Sequence, residues 1–589
     1  MKSNLGHGLR HGLRHGLGHG LRRGLLVGAL LSTATGLWAC SLIVKRGETQ
    51  CANDGECATL FGAGAKCSAD KVCLSTSDGS SDAPGGACST NRECIDREGG
   101  APAICRKDTK VCARLTNEDC SRVFAVTAGG DVVTDRRAVE NDDTVVLGSL
   151  TSLLGANQPK GEARVNAFEL ALQELATRPL PIGGRTRPLA VLSCNDIDVT
   201  PPAAGAEPAV VRSARHLVSV VGVPAVVGGG NSGTTTTALK EVTAKGALLI
   251  APSATSPSLT SNPDKMGLFF RTAPSDALQS IPLIQLINEV EAAPPAGSKK
   301  LLVFSKGDSY GQGLRDQLVD KLTFGGKKIS DPSNTAYKGL EYKTDASFDF
   351  SPLVAQALAF APQVIVIAGT NETVDGLMKP IEAGWTGGGR PTYVVSDGLK
   401  ADKLIAAIKD DDAAGAPTGL RTRVRGTAPG RRNSVTDTFV LRFNGRFPQA
   451  ASASTTFGTA GAYDAAYLIL YGLATVGVDQ PITGQSLVAG IRRVTKVGKS
   501  AIEVGPNGID LAKPLLTSGS EFDLNGASSP LEFDEAGESP ADIEVWCVQK
   551  AAAAGGTPTF FSTDKYYNAS TKTVVGTYNC PSTGGDGGS

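Results

Sequence analysis

The sequence has no net charge and almost no histidine. Lys plus Arg and Asp plus Glu both number 58, so no excess charge attracts nucleic acid or an anionic membrane surface. Four of the five histidines, His7, His11, His15 and His19, stand near the N-terminus, and only His216 lies beyond them. A lone histidine without cysteine or carboxylate partners at ligand spacing does not make a zinc site. We therefore predict no metal site and no nucleic-acid partner.

Motifs of hydrolases and nucleotide-binding enzymes are also missing. The run NSGTTTT at 231–237 follows a Gly-rich loop but lacks the lysine of a P-loop. The segment GNSGT at 230–234 ends in threonine where a nucleophile elbow requires glycine. A serine triad would have to recruit His216, and GDSYGQG at 307–313 matches a dinucleotide fingerprint only loosely. We expect a protein that is not an enzyme and uses no cofactor.

The N-terminal segment has the pattern of an export signal. A basic region ending in Arg22-Arg23 precedes a short apolar stretch, Leu25 to Leu31, and small residues follow. The tetrapeptide LWAC at 37–40 resembles a bacterial lipobox, in which the cysteine is lipidated and becomes the mature N-terminus. We predict a signal peptide over 1–39, lipidation of Cys40 and a tether over 40–50, which anchor the protein to a membrane in the periplasm or at the cell surface. Soluble secretion is the alternative.

Cysteines are concentrated in two similar units. Ten of the 13 cysteines stand from Cys40 to Cys120, a density typical of an oxidising compartment. The units, 51–73 and 88–112, both open with C-x5-C and end in Lys-Val-Cys. Each is too small to bury a sufficient core, and neither has CxxC or histidine, so we expect disulfides and not zinc. The candidates are Cys51, Cys57, Cys67, Cys73, Cys88, Cys94, Cys105, Cys112, Cys120, Cys194, Cys547 and Cys580.

The connectivity inside the two units stays open, because eight cysteines allow many pairings. Cys120 with Cys194 and Cys547 with Cys580 are plausible further pairs. The cysteine-rich region with its linkers covers 51–120, and the polar stretch that continues to about residue 142 is predicted to be linker as well.

From Asp143 onward, short apolar segments alternate with amphipathic helical patterns. Such alternation predicts an α/β fold with parallel sheets, and the length of the region fits two doubly wound lobes better than one. Ligands in these sheets bind outside the carboxyl ends of the strands. The predicted strands are TVVLGSL, RPLAVLSC, AVVGGG, GALLIAP, KKLLVFS, PQVIVIAG and PTYVVSD.

Two polar loops follow neighbouring predicted strands. In AVVGGGNSGTTTTALKEV a Gly-rich loop leads into a helix, whose N-terminus offers N–H groups and partial positive charge to an anion. An ordinary helix cap, with Ser232 and Thr234 or Thr235, explains the same residues equally well. The run APSATSPSLT at 251–260 adds hydroxyl groups after the next strand. Both loops are candidate walls of a binding site.

Taken together, the ordered motifs resemble the type I periplasmic solute-binding proteins of branched-chain amino-acid ABC transporters. The motifs that carry the resemblance are VVLGSLTSLLGANQPKGEARVNAFELALQELA, VVGVPAVVGGGNSGTTTTALKEVTAKGALLIAPSATSPSLT, FFRTAPSDALQS, KKLLVFSKGDSYGQGLRDQL, FDFSPLVAQALAFAPQVIVIAG, TFGTAGAYDAAYLILYGLATVG and NGASSPLEFDEAGESPADIEVWCV.

The resemblance covers about 143–549 and implies two doubly wound parallel-sheet lobes joined by a hinge of three crossovers. Lobe 1 would comprise about 143–272 and 425–525, and lobe 2 about 273–424 and 526–549. A C-terminal tail, 550–589, would follow, tied by the Cys547–Cys580 pair.

The resemblance also implies a ligand site between the lobes. Hydroxyls of Ser232 and Thr255, with backbone groups near Ser253 and Ala254, would bind a ligand carboxylate from lobe 1. In lobe 2 a tyrosine would pack on the ligand and an acid would pair with its ammonium, while Thr370 stands where amino-acid binders often have an aromatic residue. The predicted ligand-binding residues are Ser232, Ser253, Ala254, Thr255, Tyr310, Thr370 and Asp397.

Two functions follow from this reasoning. The first is an anchored solute-binding protein that delivers an amino acid or similar small polar solute to an ABC permease. The second is a sensory or adhesive surface lipoprotein that binds a signal or a protein with the same fold, for which the cysteine-rich units would be the interacting part.

Overall fold

The computed structural model describes residues 87–581, apart from 201, 295–298, 344–347, 415–416, 552 and 554, and a few positions between 53 and 74. In the N-terminal unit, 1–86, the strands Lys66–Cys67 and Cys73–Leu74 pair antiparallel. The predicted signal peptide, Cys40 and most of the first cysteine unit lie outside the described residues. The second compact unit comprises residues 87–589 and contains both sheets.

The first sheet has seven strands and forms the centre of lobe 1. Five strands are parallel, and two antiparallel strands extend one edge. Every residue of the central strands is buried, as in sheets covered on both faces. The spatial order is Phe269–Arg271, Leu248–Ala251, Ala225–Gly228, Val145–Thr151, Leu189–Asn195, Arg122–Val126 and Val132–Val133.

The second sheet has eight strands and forms the centre of lobe 2. Its first five strands are parallel and the last three antiparallel. The spatial order is Tyr337–Tyr342, Leu301–Lys306, Val364–Ala368, Thr392–Val395, Val424–Pro429, Ile543–Gln549, Thr559–Asn568 and Thr573–Val575. All seven strands predicted from the sequence are present in the two sheets, and the prediction of an α/β fold with parallel-sheet lobes is confirmed.

Helices cover both faces of each sheet. Lobe 1 has the α-helices Gln158–Ala176, Ala209–Arg215, Ser232–Thr243, Ser434–Arg446, Thr459–Thr475, Gly484–Val494 and Pro506–Ser518, which pack in two apolar clusters. Lobe 2 has Asp276–Ala292, Ser309–Lys321, Ser351–Phe360, Lys379–Gly384, Asp402–Ala413 and Leu420–Arg423, which form two further clusters. Among the described residues, no helix combines the length and apolar character needed to cross a lipid bilayer.

The chain passes between the lobes three times. The crossovers lie between Arg271 and Asp276, between Pro429 and Ser434, and between Asn525 and Ile543. The strand Val424–Pro429 belongs to the second sheet, so the chain returns to lobe 1 after Pro429 and not at residue 425. Pairing of this strand with Thr392–Val395 fixes its place in lobe 2.

The stretch before residue 142 is part of the fold, and the linker prediction for it is wrong. The strand Arg122–Val126 pairs antiparallel with Leu189–Asn195 and extends the first sheet, and Val132–Val133 pairs with it in turn. Phe124 is fully buried in the lobe 1 core. A short apolar run, RVFAV, is enough to form an edge strand here because a buried strand is already in place beside it.

The described cysteines form four disulfides: Cys88–Cys105, Cys94–Cys112, Cys120–Cys194 and Cys547–Cys580. The second joins the helix Asn91–Arg97 to a hairpin of Ala103–Cys105 and Cys112–Arg114, and the first joins the segment just before that helix to the same hairpin. Three of these sulfur atoms lie close enough together for a metal site, but all three are bonded in disulfides and carry no thiolate. The prediction of disulfides is confirmed for this part of the chain.

The segment after residue 550 also joins the fold. The strand Thr559–Asn568 pairs antiparallel with Ile543–Gln549, and the Cys547–Cys580 disulfide closes the connection. The side chain of Trp546 is fully buried and meets Phe560 edge-on, with ring centroids 4.9 Å apart. The tail is therefore an edge of the second sheet.

Candidate ligand-binding cleft

A polar cleft lies where the carboxyl ends of the two sheets face each other. This is the position expected for ligands in doubly wound sheets. The cleft is lined by Ser152, Asn157, Lys160, Arg164, Gly230, Asn231, Ser232, Ser253, Lys306, Tyr310, Thr370, Asp397, Gly398 and Phe457.

Five of the predicted ligand-binding residues line this cleft. Ser232 and Ser253 come from lobe 1, and Tyr310, Thr370 and Asp397 come from lobe 2. These five stand at the ends of strands or at the starts of the helices that follow them. The structure thus brings them together, while their roles in ligand binding stay predictions.

Ser232 is the first residue of its helix, and its hydroxyl is already engaged. Asn231 caps the helix by accepting a hydrogen bond from the Thr234 N–H. The Ser232 Oγ accepts hydrogen bonds from the backbone N–H groups of Thr255 and Ser256, both at 3.2 Å. Ser232 therefore ties the Gly-rich loop to the loop after the next strand, and the helix start is an ordinary cap as well as a cleft wall.

Thr255 and Ala254 are not among the residues that line the cleft. The Thr255 hydroxyl donates to Asp276 Oδ2 at 2.9 Å, at the first crossover. This contact turns the hydroxyl toward the hinge, away from the position that carboxylate binding would require. Ser253, by contrast, reaches the cleft and donates from Oγ to the Gly230 carbonyl at 3.2 Å.

In lobe 2, Tyr310 and Asp397 form one hydrogen-bonded unit. The Tyr310 hydroxyl donates to Asp397 Oδ1 at 2.8 Å and accepts from the Gly398 N–H at 3.1 Å. Gln279 also donates to Asp397 Oδ1, at 3.0 Å. Asp397 is 4% exposed, and burial raises the pKa of its carboxyl. The acid is held in one orientation at the edge of the cleft.

The same unit connects the cleft to the hinge. Gln279, which contacts Asp397, also donates to Thr427 Oγ1 at 3.2 Å on the strand before the second crossover. Asp276 lies beside it, and burial together with the charge of Asp397 raises the pKa of Asp276 well above its ordinary value. Two buried carboxyl groups in one neighbourhood disfavour simultaneous ionisation.

Three cationic side chains line the cleft, and the sequence reasoning missed all of them. Arg164 is 7% exposed and donates to the carbonyls of Gly230 at 2.7 Å and Phe457 at 3.0 Å. Burial lowers the pKa of Arg164 to about 10. Lys160, one helical turn earlier, is half-buried, and burial and the charge of Arg164 lower its pKa to about 8. Both groups remain mainly charged at neutral pH.

The third cation, Lys306, stands at the end of a predicted strand. Its ammonium lies 3.4 Å from Asp308 Oδ2, 3.9 Å from Glu372 Oε1 and 3.3 Å from Thr370 Oγ1. Burial alone would lower its pKa, but the charges of Glu372 and Asp308 raise it. Because ligands bind at the ends of strands, the position of Lys306 at a strand end could have identified it as a cleft residue. No feature of the sequence pattern distinguished Lys160 or Arg164 from the other residues of their helix.

The lobes touch beside the cleft. The Ser256 hydroxyl of lobe 1 donates to the Ser309 carbonyl of lobe 2 at 2.6 Å, and Thr236 Oγ1 lies 3.5 Å from Ser309 Oγ. These contacts close one side of the space between the lobes.

A second cavity lies beside the crossovers, and none of the predicted ligand-binding residues lines it. Two of its arginines are engaged elsewhere: Arg432 pairs with Asp437, and Arg431 lies 4.0 Å from the centre of the Tyr566 ring. We take the polar cleft as the ligand site, because the strand ends of both sheets converge there.

Two doubly wound lobes that enclose a polar cleft at their strand ends define a solute-binding protein. The model of the periplasmic binding protein family matches residues 144–511, which is more than half of the chain, and the chain belongs to this family. Because this is a family of binding proteins, membership confirms that the chain is not an enzyme, and it implies a location outside the cytoplasm.

Solved structures show the same fold. A leucine-binding protein, LivK, of Thermotoga maritima is 17% identical with a TM-score of 0.50, over 71% of this chain and 97% of that one. The LivJ protein of Streptococcus pneumoniae in complex with isoleucine is 15% identical with a TM-score of 0.50, over 71% and 99%. A Rhodopseudomonas palustris solute-binding protein in complex with 3,4-dihydroxybenzoic acid is 17% identical with a TM-score of 0.51, over 72% and 98%.

At these identities the likeness shows the fold alone. No curated protein sequence matches the chain.

Proposed function

We propose that this protein is an extracytoplasmic lipoprotein that captures an amino acid or similar small polar solute in the cleft and delivers it to the permease of an ABC transporter. The observation that carries the proposal is that a cationic group and a hydroxyl group of lobe 1 line the same cleft as a carboxyl group of lobe 2. Arg164 and the hydroxyl of Ser253 stand on lobe 1, and the Asp397–Tyr310 unit stands on lobe 2.

This arrangement suits a zwitterion. A carboxylate is favoured near a buried guanidinium and hydroxyl donors, and an ammonium is favoured near a carboxylate. Exclusion of water by the closed lobes strengthens both interactions. The ligand would therefore lie with its carboxylate toward lobe 1 and its ammonium toward Asp397.

The N-terminal sequence supports the anchored form of the proposal. The export signal and the lipobox-like LWAC at 37–40 would leave Cys40 as a lipidated mature N-terminus. The disulfides fit the same extracytoplasmic location.

A thermal-shift screen of the exported full-length chain in detergent tests the ligand class. The solutes are amino acids, amides, urea and aromatic acids, because small solutes of these kinds probe both the zwitterion and its alternatives. A ligand at 100 times its Kd stabilises the folded state by about 2.7 kcal/mol. If no small solute shifts the unfolding temperature, the proposal is wrong.

Asp397→Asn tests the orientation. The amide keeps the size of the side chain but loses the charge, and a hydrogen bond to a charged group contributes about 1.5–3 kcal/mol. We expect ligands with an amino group to bind at least tenfold more weakly, as measured by calorimetry. Asp410→Asn, at an exposed position, is the matched control and should bind as the unchanged protein does.

The second candidate is a sensory or adhesive lipoprotein, and the disulfide module of residues 88–112 favours it. This module lies outside the matched range 144–511 and is fixed to lobe 1, where Asn91 donates to the Val139 carbonyl at 2.8 Å. Uptake of a radiolabelled ligand by cells with and without the protein separates the two functions, since only the transporter component changes uptake.

A further inference from the structure

One cation in the cleft has no partner among the residues that the structure describes. The Lys160 ammonium makes no hydrogen bond or ion pair with any residue that the structure describes, although Arg164 and Lys306 are engaged with carbonyls and carboxylates. Lys160 lines the cleft together with Lys306 and Asp397 of lobe 2, whose charges act on it. A half-buried charge without a partner favours an anion from outside the protein.

Arg164 adds a second observation. Its side chain is more than nine-tenths buried, and its Nε has no hydrogen-bond partner. Two of its nitrogens donate hydrogen bonds to backbone carbonyl oxygens, which carry no net charge. The charge of Asp196 acts on Arg164, but no carboxylate among the described residues forms an ion pair with the guanidinium, which therefore remains available to a ligand.

The charges of the cleft are separated by lobe. Lobe 1 contributes Lys160 and Arg164 to the lining and no carboxylate, whereas lobe 2 contributes both Lys306 and Asp397. A ligand ammonium that pairs with Asp397 uses the one acid of the lining. Lys306 already contacts Asp308 and Glu372, so Arg164 and Lys160 are the two cations left for the other groups of the ligand, which is one more than a single carboxylate requires.

The described lining of the cleft has no aliphatic side chain on which a branched hydrocarbon side chain could pack. Among its described lining residues, Tyr310 and Phe457 are aromatic and none is aliphatic. The Tyr310 hydroxyl is directed into the hydrogen bond with Asp397. A leucine or isoleucine side chain would have no aliphatic partner among these residues, whereas the charged groups of the lining would be left without a counter-charge.

We infer that the ligand is a zwitterion with a second carboxylate, such as an acidic amino acid, and that this second carboxylate lies between Lys160 and Lys306. The inference rests on the proposed function and specifies its ligand. The α-carboxylate would face Arg164 and Ser253, and the α-ammonium would face Asp397. Both lysines offer several N–H donors, which suits a carboxylate with two oxygens.

The test measures binding to the exported full-length chain in detergent by calorimetry. The probes are L-glutamate and L-aspartate, their amides L-glutamine and L-asparagine, L-leucine, and the dicarboxylate glutarate. We expect one of the two acidic amino acids to bind at least tenfold more tightly than its own amide and than glutarate, which lacks the ammonium. Its affinity should also exceed that of leucine.

Lys160→Met identifies the group that provides this preference. The variant keeps a long unbranched side chain and removes the charge, so the acidic amino acid should lose at least tenfold in affinity while its amide binds as before. Lys245→Met, at an exposed position, should leave both affinities unchanged.

The outcomes separate a failure of the inferred ligand class from a failure of the proposed function. If an amide or leucine binds more tightly than the acidic amino acids, or if Lys160→Met weakens acid and amide equally, the inference is overturned and the proposed function stands. If none of these probes and no solute of the wider screen binds, the proposed function fails with it.

Discussion

Arg271 shows what one buried ion contributes to this protein. Its guanidinium is fully buried, donates to Glu538 Oε1 at 2.6 Å and donates to the Ser256 carbonyl at 2.9 Å. The residue stands where the chain leaves lobe 1 for the first crossover, and Glu538 stands on the third. One side chain therefore holds two crossovers and the loop after a cleft strand together.

Replacing this arginine should destabilise the fold strongly. Arg271→Met leaves Glu538 without its partner in a buried position, and the loss of one member of such a pair costs about 3–5 kcal/mol. Urea denaturation measures the change in the free energy of unfolding. Arg432→Met removes the exposed pair with Asp437 and should cost at most about 1 kcal/mol. Equal costs for the two variants would contradict this reading of Arg271.

The directions of individual side chains could not be predicted from the sequence. The motif comparison selected the loop of Ser253 and Thr255, of which Ser253 lines the cleft, but it did not show that the Thr255 hydroxyl donates to Asp276. The direction of the Thr255 hydroxyl depends on Asp276, which belongs to a later segment of the chain. Lys160 was missed for a related reason: which side of a helix faces a cleft is set by packing against the rest of the lobe.

Among the elements, the parallel strands were the easiest to predict. Leu189–Asn195 and Val364–Ala368 are short, apolar and buried throughout, so their composition alone reveals them. The added strands at the sheet edges were harder, because Arg122–Val126 has only five residues and Thr559–Asn568 has few buried residues. The position of these two strands in their sheets depends on pairing with a neighbouring strand. The amino-acid composition of a segment does not show which strand it will pair with.

The C-terminal edge of the second sheet should be needed for stability. A chain that ends at residue 556 loses the strand Thr559–Asn568 and exposes Trp546 together with the edge of Ile543–Gln549. Unpaired edges and newly exposed apolar surface promote aggregation. We expect a lower unfolding temperature and a smaller soluble fraction after gel filtration.

The matched control separates the strand from the disulfide. A full-length chain with Cys547→Ser and Cys580→Ser keeps the paired strands and loses only the cross-link. This variant should be more stable than the truncated chain. If the two are equally destabilised, the disulfide and not the strand pairing is what matters.

For the whole molecule, the prediction that decides location concerns Cys40. If the signal and the lipobox-like motif act as predicted, cells fed radiolabelled palmitate should label the protein, and it should partition with membranes. Cys40→Ala should abolish the label and release the protein into the soluble extracytoplasmic fraction. A labelled Cys40→Ala variant, or an unlabelled but exported original, would exclude the anchor at this residue.

The connectivity of the disulfides in the described part of the chain determines which oxidative folding steps the producing cell must carry out. Cys120–Cys194 and Cys547–Cys580 each join neighbours in the order of the chain, so oxidation during secretion would pair them as they emerge. The module of residues 88–112 is different, because its two bonds interleave: Cys88 skips Cys94 to reach Cys105, and Cys94 skips Cys105 to reach Cys112. Sequential oxidation would give the wrong isomers there. Secretion of this protein therefore calls for disulfide isomerisation as well as oxidation, and a host that lacks an isomerase should yield a mispaired module beside intact lobes.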